Sequence, residues 1–200
     1  EDYAADAEVS KDGLSASGDS IMGLLMLAAS RGTQIDVVTR GEAAEALAEA
    51  GADIIDIGGE STRPGAKAVS VKDEIERTVP VVEKLAGQWK KKGIKAKISI
   101  DSRKPEVVRA AMKAGAHIWN DVSALTYDDS SVELAAELGC PVILMHAQGS
   151  PETMQDAPSY EDTLGEIHLW LSTRVAIAVA SSVKLENIII DPGIGFGKRL

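Results

Sequence analysis

The sequence predicts a parallel α/β fold made of repeated strand–helix units. Three observations carry that expectation. Short apolar runs alternate with stretches of helical periodicity, glycines fall where those helices would stop, and no turn signal of hairpin type recurs between the runs. Strands separated by helices of this length pair in parallel through right-handed crossovers, with both faces of the sheet covered.

Ile21–Leu27 is a continuous apolar run and is expected as the first strand. Gly41–Ala50 is rich in Ala and Glu and reads as a helix closed by Gly51. Asp53–Ile57 is a short buried strand. Lys72–Ala86 spaces Ile75, Val79, Val82 and Leu85 at helical intervals, with Pro80 awkwardly inside it. Lys97–Ile100 is the next strand. Pro105–Ala114 is a helix with proline in its first turn and Gly115 at its end. Ala116–Trp119 is a strand, Ser130–Leu138 a helix stopped by Gly139, and Pro141–Met145 a strand. A long helix over Tyr160–Ala180 and a last strand over Ile188–Ile190 complete the reading. Six strands with intervening helices fit either an open doubly wound sheet or a (β/α) barrel. A barrel of eight units needs about 250 residues, so a chain of 200 is about two units short.

Composition narrows the function classes. The chain is 44% hydrophobic and 26% charged, the balance of a folded globular protein. Its longest apolar run, Ile21 to Ala29, is less than half of what spans a bilayer. The start, Glu1-Asp2-Tyr3, lacks the basic and apolar regions of a secretion signal, and the single Cys140 suits a reducing compartment, so a cytoplasmic location is expected. A net charge of −10 and only 4% aromatics argue against nucleic acid as a partner. Residues 1–20 hold six acids against Lys11 alone and are expected to form a mobile acidic leader before a domain over 21–200.

The polar residues at strand ends point to a site. Asp56, Asp101, Asn120-Asp121 and Asp191 each follow an apolar run, and the C-terminal strand ends of parallel β/α proteins form the rim where ligands bind. One such Asp alone is better read as a helix or turn cap. Four strand ends together favour a shared polar site, suited to a ligand rich in N–H donors such as an amino-substituted heterocycle. Magnesium is the rival occupant. Gly58-Gly59-Glu60-Ser61-Thr62-Arg63-Pro64-Gly65 offers close approach, hydroxyls and Arg63 for an anion. The glycines of residues 193–198 lack both dinucleotide-fingerprint and Walker A spacing. His146, at a strand end, reads more readily as structural, and His117 and His168 are given no role. Cys140 reads as a small buried residue, and the three tryptophans as packing or surface residues.

Several segments, taken in order, resemble the dihydropteroate synthase family. They are Gly51-Ala-Asp-Ile-Ile-Asp-Ile-Gly-Gly-Glu-Ser-Thr-Arg-Pro-Gly65, Ile98-Ser-Ile-Asp-Ser-Arg103, Asn120-Asp-Val-Ser123, Leu144-Met-His-Ala-Gln-Gly149 with Pro151-Glu-Thr-Met-Gln155, and Asp191-Pro-Gly-Ile-Gly-Phe-Gly-Lys198. The resemblance implies a (β/α)8 TIM-barrel fold, here reaching about six units. It also implies condensation of 6-hydroxymethyl-7,8-dihydropterin pyrophosphate with p-aminobenzoate, releasing pyrophosphate, with Mg2+ assisting and sulfonamides competing. By the same resemblance Asp101, Asn120 and Asp191 hold the pterin's nitrogen edge and Met145 packs on its ring. Thr62 and Arg63 lie on the aminobenzoate and pyrophosphate side, Phe196 lines the mouth, and Asp101 with Arg63 serve the chemistry. A homodimer is expected. A methyltetrahydrofolate-dependent methyltransferase barrel and a non-catalytic pterin binder are the alternatives.

The sequence also departs from the family. Met26-Leu-Ala-Ala-Ser-Arg31 stands where the family has an Asn-x-Thr-Pro-Asp-Ser-Phe-Ser-Asp-Gly-Gly loop, so the usual Asn ligand to magnesium is missing. The family's seventh and eighth strands, with a pterin-binding Lys and a pyrophosphate-gripping Arg-x-His, have no counterpart before Leu200. The chain as written is therefore expected to make dihydropteroate below the family's normal rate.

Overall fold

The computed structural model describes residues 7–11, 14–17, 36–39, 48, 51–62, 67–149 and 158–198. They form two sheets. In the first, β1 (Ala7–Lys11) lies between β2 (Leu14–Ser17) and β3 (Asp36–Thr39), antiparallel to both. Part of the acidic stretch expected as a mobile leader is therefore paired strand. Asp12-Gly13, a dipeptide that favours two-residue hairpin turns, separates β1 from β2 in sequence and is the signal that a parallel-only reading passes over. The expected strand Ile21–Leu27 lies outside the described residues, as does the expected helix Gly41–Ala50 apart from Ala48, which is helical.

The second sheet is parallel, in the order β4 (Ile54–Gly58), β5 (Lys97–Asp101), β6 (Ile118–Asp121), β7 (Val142–Met145) and β8 (Ile188–Asp191). Five of the six expected strands are present in sequential order. Between them run helices α1 (Val71–Lys92), α2 (Pro105–Ala114), α3 (Ser131–Leu138) and α4 (Thr163–Ala180).

Local chemistry sets the helix ends. The Ser70 side chain accepts from the Asp73 N–H at the start of α1, and the Asp162 side chain accepts from the Gly165 N–H at the start of α4. Pro105 fills the first turn of α2, where its missing N–H has no helical partner to lose. Gly93, Gly115 and Gly139 end three helices in left-handed conformations. Helix α1 runs straight through Pro80 to Lys92, beyond the end its periodicity suggests. Its later turns bury Val82, Leu85 and Trp89, and that packing outweighs the hydrogen bond which proline removes.

Strand alternation divides the work between faces. Ile55, Ile57, Ile98, Ile100, Trp119, Val142 and Leu144 meet Val82, Leu85, Val107, Val108, Ala111 and Leu134 from the helices in one buried core. At about 1.5–3 kcal/mol per fully buried large apolar side chain, this layer is the main source of stability. The opposite face carries Asp56, Ser99, Asp101, Asn120, Met145 and Asp191.

Candidate functional site

Register brings the strand-end residues together. Gly58 of β4 pairs with Asp101 of β5, Asp101 with Asn120 of β6, and Met145 of β7 with Asp191 of β8. Asp101 has a glycine for its neighbour on one side. A Cβ on Gly58 would stand 3.4 Å from both Cβ and Oδ2 of Asp101, so the absent side chain leaves the carboxyl room. On the other side, Asn120 Nδ2 donates to Asp56 Oδ2 at 3.1 Å. That bond orients the amide and leaves its oxygen as the acceptor for a ligand.

The electrostatics of Asp101 are unusual for a carboxyl group. Burial and then the charges of Asp56, Asp121, Glu74 and Glu60 hold its pKa well above the ordinary value of 3.8. It therefore keeps its proton to higher pH than a solvated Asp, until N–H donors or a positive charge favour the ionised form.

Asp121 belongs to the other face. One residue beyond Asn120, it is fully buried. Its Oδ1 accepts from the Ser123 N–H at 2.8 Å and the Ser123 hydroxyl at 2.6 Å, and its Oδ2 from the Leu125 N–H at 2.8 Å. It is the turn cap that single strand-end Asp residues suggest. Asn120, not Asp121, faces the site.

At the far end, Asp191 Oδ1 accepts from the Gly193 N–H at 2.7 Å and starts a tight loop. Gly193 has φ 64°, and a Cβ there would fall 2.0 Å from the His146 carbonyl, so only glycine fits. Lys198 closes the loop by donating to the carbonyls of His146 at 3.0 Å, Gly193 at 2.8 Å and Phe196 at 2.9 Å. Burial, opposed by Asp191, pulls its pKa to about 8. Phe196 sits half-buried in this loop. His146 is buried with its ring edge-on to Trp170, centroids 5.0 Å apart, and burial followed by the charge of Lys198 lowers its pKa, so it stays neutral.

Of the expected site residues, Asp101, Asn120, Met145 and Asp191 share one face at the C-terminal strand ends, and Thr62 lies beyond β4. Arg63 is outside the described residues. Sequence reasoning named Lys198 only as the end of a resembling segment and gave it no role, and it missed the part Asp56 plays in orienting Asn120. His117, given no role in the sequence reading, has a structural one, since its Nδ1 accepts from the Ile98 N–H at 3.1 Å. Among the described residues no group of three or more His, Cys, Asp and Glu side chains is placed to hold a metal ion.

A polar rim of this kind on a parallel sheet has known counterparts. The family model described as pterin binding enzyme matches residues 28–200. The chain belongs to the pterin-binding enzyme family. It is 44% identical over 169 residues to the dihydropteroate synthase of Escherichia coli, a match covering 84% of this chain and 58% of that protein. It is likewise 44% identical over 155 residues to the dihydropteroate synthase of a Synechocystis strain, covering 78% of this chain and 52% of that protein. Among solved structures, the Yersinia pestis dihydropteroate synthase in complex with a sulfonamide drug superposes with a TM-score of 0.73 at 42% identity, covering 78% of this chain and 55% of that one. The Xanthomonas albilineans dihydropteroate synthase with 4-aminobenzoic acid gives 0.70 at 45% identity, covering 78% and 52%. The same enzyme in complex with 7,8-dihydropteroate gives 0.65 at 39%, again covering 78% and 52%. The parallel β/α sheet of this family member thus matches the barrel of those enzymes. The chain spans a little over half the length of the curated relatives it matches. No helix of the described residues is long and apolar enough to cross a membrane.

Proposed function

We propose that this chain carries the pterin-recognising part of a dihydropteroate synthase, which joins 6-hydroxymethyl-7,8-dihydropterin pyrophosphate to p-aminobenzoate. The observation that supports this most is the convergence of Asp101, Asn120 and Asp191 on one face, with Met145 beside them. Two carboxyls and an amide oxygen are acceptors matched to the N–H edge of a pterin, and the Met145 side chain offers a polarisable surface to its ring. The relatives solved with 4-aminobenzoic acid and with 7,8-dihydropteroate, one substrate and the product of this reaction, support the same reading.

The chemistry follows from the charges. The C–O bond from the pterin methylene to pyrophosphate breaks, and pyrophosphate leaves with the electron pair. The positive charge left on the pterin-methylene system favours the ionised form of Asp101 beside it. The neutral arylamine nitrogen then forms the new C–N bond and loses a proton. Thr62 and Arg63 serve the aminobenzoate and pyrophosphate side and Phe196 the mouth. Positioning and charge stabilisation carry the rate, and no protein nucleophile is needed. Magnesium belongs to the proposal as a companion of the pyrophosphate, since it commonly takes most of its ligands from substrate phosphates. Homodimerisation and a cytoplasmic location are part of the same reading.

Titration of the chain with the pterin pyrophosphate, with the pyrophosphate-free alcohol and with methyltetrahydrofolate separates the alternatives. The proposal expects the two dihydropterins to bind and methyltetrahydrofolate to bind weakly. Preference for methyltetrahydrofolate would replace it with a methyltransferase reading.

A further inference from the structure

Beside the rim lies a buried ionic cluster that the substrate contacts do not use. Lys104 donates from Nζ to Glu60 Oε2 at 2.7 Å and also to Glu74 Oε2. The Ser102 hydroxyl donates to Glu74 Oε1 at 2.6 Å. Arg103 reaches Glu60 Oε1 through Nε at 3.1 Å and Nη2 at 2.9 Å, and the Val69 N–H donates to Glu60 Oε2 at 2.7 Å. The side chains of Glu60, Glu74 and Lys104 are 7%, 1% and 5% exposed. Two carboxylates balance one ammonium and one guanidinium, and each carboxylate oxygen has a donor.

An apolar filling of similar volume often stabilises a core as well as such a cluster does, so geometric definition is the better account of it here. Its members come from three places: the loop after β4, the link from β5 to α2, and the first turn of α1. The loop is held further at Gly59. Its carbonyl accepts from Arg77 Nη1 at 3.0 Å, and a Cβ there would fall 2.8 Å from Glu74 Cγ and 2.9 Å from Thr78 Cγ2. On the other side, Trp119 Nε1 donates to the Ser102 carbonyl at 2.7 Å and ties the cluster to β6 next to Asn120. The cluster thus joins the strand end that bears Asp101 to the loop that bears Ser61 and Thr62.

We propose that Glu60 is a positioning residue, clamped by Lys104 and Arg103, that fixes the Gly58–Thr62 loop against the end of β5 and so sets the arylamine side of the site relative to the pterin side. The proposal rests on the dihydropteroate synthase reading. Glu60 touches no substrate in it. Burial raises the Glu60 pKa, but the Lys104 hydrogen bond, the Val69 N–H and the charges of Lys104 and Arg103 bring it below its ordinary value. Lys104 is raised in turn by Glu60 and Glu74 against burial, so the pair stays charged at neutral pH.

The test is Glu60→Gln in the full chain, which keeps the shape and removes the charge. Amide exchange at Gly58–Thr62 is read without ligand. Calorimetry reads 6-hydroxymethyl-7,8-dihydropterin, then p-aminobenzoate added to the protein saturated with that pterin and pyrophosphate. The proposal expects exchange in the loop to rise about tenfold, p-aminobenzoate to weaken about tenfold or more and the pterin to stay within about twofold. Glu60→Asp should recover part of the loss. Arg103→Gln, at a more exposed member, repeats the pattern more weakly if Glu60→Gln fails to fold. A lower melting temperature with loop exchange and both affinities unchanged overturns the proposal, and so does equal weakening of both ligands with faster exchange throughout. If the wild-type chain binds neither ligand, the functional reading falls and takes the role of Glu60 with it. If it binds both and only the variants disagree, the proposal alone falls.

Discussion

At the scale of the residue, the site turns on a proton. Asp101 holds its proton above the ordinary carboxylate range because burial and the neighbouring Asp56 both disfavour its charge. A pterin that presents N–H donors favours the ionised form, so binding at a pH below the raised pKa releases that proton. Pterin affinity should rise as pH climbs through this range. Calorimetry in two buffers of different ionisation enthalpy measures the release, and equal heats in both would contradict it. Stability runs the other way. A carboxyl whose folded pKa lies above its unfolded one costs stability as pH rises from the ordinary value of 3.8 through the raised one. Asp101→Asn should therefore raise the melting temperature at neutral pH while weakening pterin binding, the trade between stability and function expected of a binding residue. The placement of Asp101, Asn120 and Asp191 at the strand ends was legible in the sequence because each closes an apolar run of a parallel strand. That Asp121 turns away was not legible, since adjacent residues take opposite faces and only the register shows which one faces the site. Nor was the role of His117, because its partner is a backbone N–H nineteen positions away.

At the scale of the element, two loops carry the burden, and each hangs on a lysine, buried Lys104 in one and half-buried Lys198 in the other. Lys104→Met leaves Glu60 and Glu74 facing each other without their shared partner. Breaking a buried ion pair from one side costs about 3–5 kcal/mol, so chemical denaturation should show a loss of that order. A loss below about 1 kcal/mol would mean that the cluster is effectively solvated. Lys198 organises residues 193–198 through three carbonyls. Its pKa of about 8 implies that the ammonium loses a proton within reach of ordinary assays. Pterin affinity should fall as pH rises through that value, and Lys198→Met should remove the alkaline limb. An unchanged limb in the variant would assign it to another group. The helices were readable from proline, glycine and spacing. The length of α1 was not, because tertiary burial of Trp89 extends it past the point where periodicity and Pro80 suggest a stop. The antiparallel ribbon was missed for a different reason: its signal is one dipeptide, Asp12-Gly13, inside a stretch whose charge dominates a compositional reading.

At the scale of the whole molecule, the parallel sheet turns one face to the helices and gathers its polar residues at the C-terminal strand ends of the other. Its order, β4 to β8, follows the chain without a crossover back. Toward β8 the apolar cover thins, where Leu185, Ile189 and Ile190 are 63%, 45% and 57% exposed. Exposed strand and apolar surface of this kind favour association. The 200-residue chain should sediment as concentration-dependent oligomers, and Ile190→Lys should shift it toward monomer. A monomer at all concentrations would show that this surface is covered.

The rim as a pterin site is tested most directly by calorimetric titration of 6-hydroxymethyl-7,8-dihydropterin into the wild-type chain and into Asn120→Ala. Leaving a hydrogen-bonding group of the bound ligand unpaired costs about 1–3 kcal/mol, which corresponds to roughly 5- to 150-fold in affinity. The account predicts saturable binding to the wild type, weakened by that factor in the variant at an unchanged melting temperature. Equal affinity in the two proteins would contradict it.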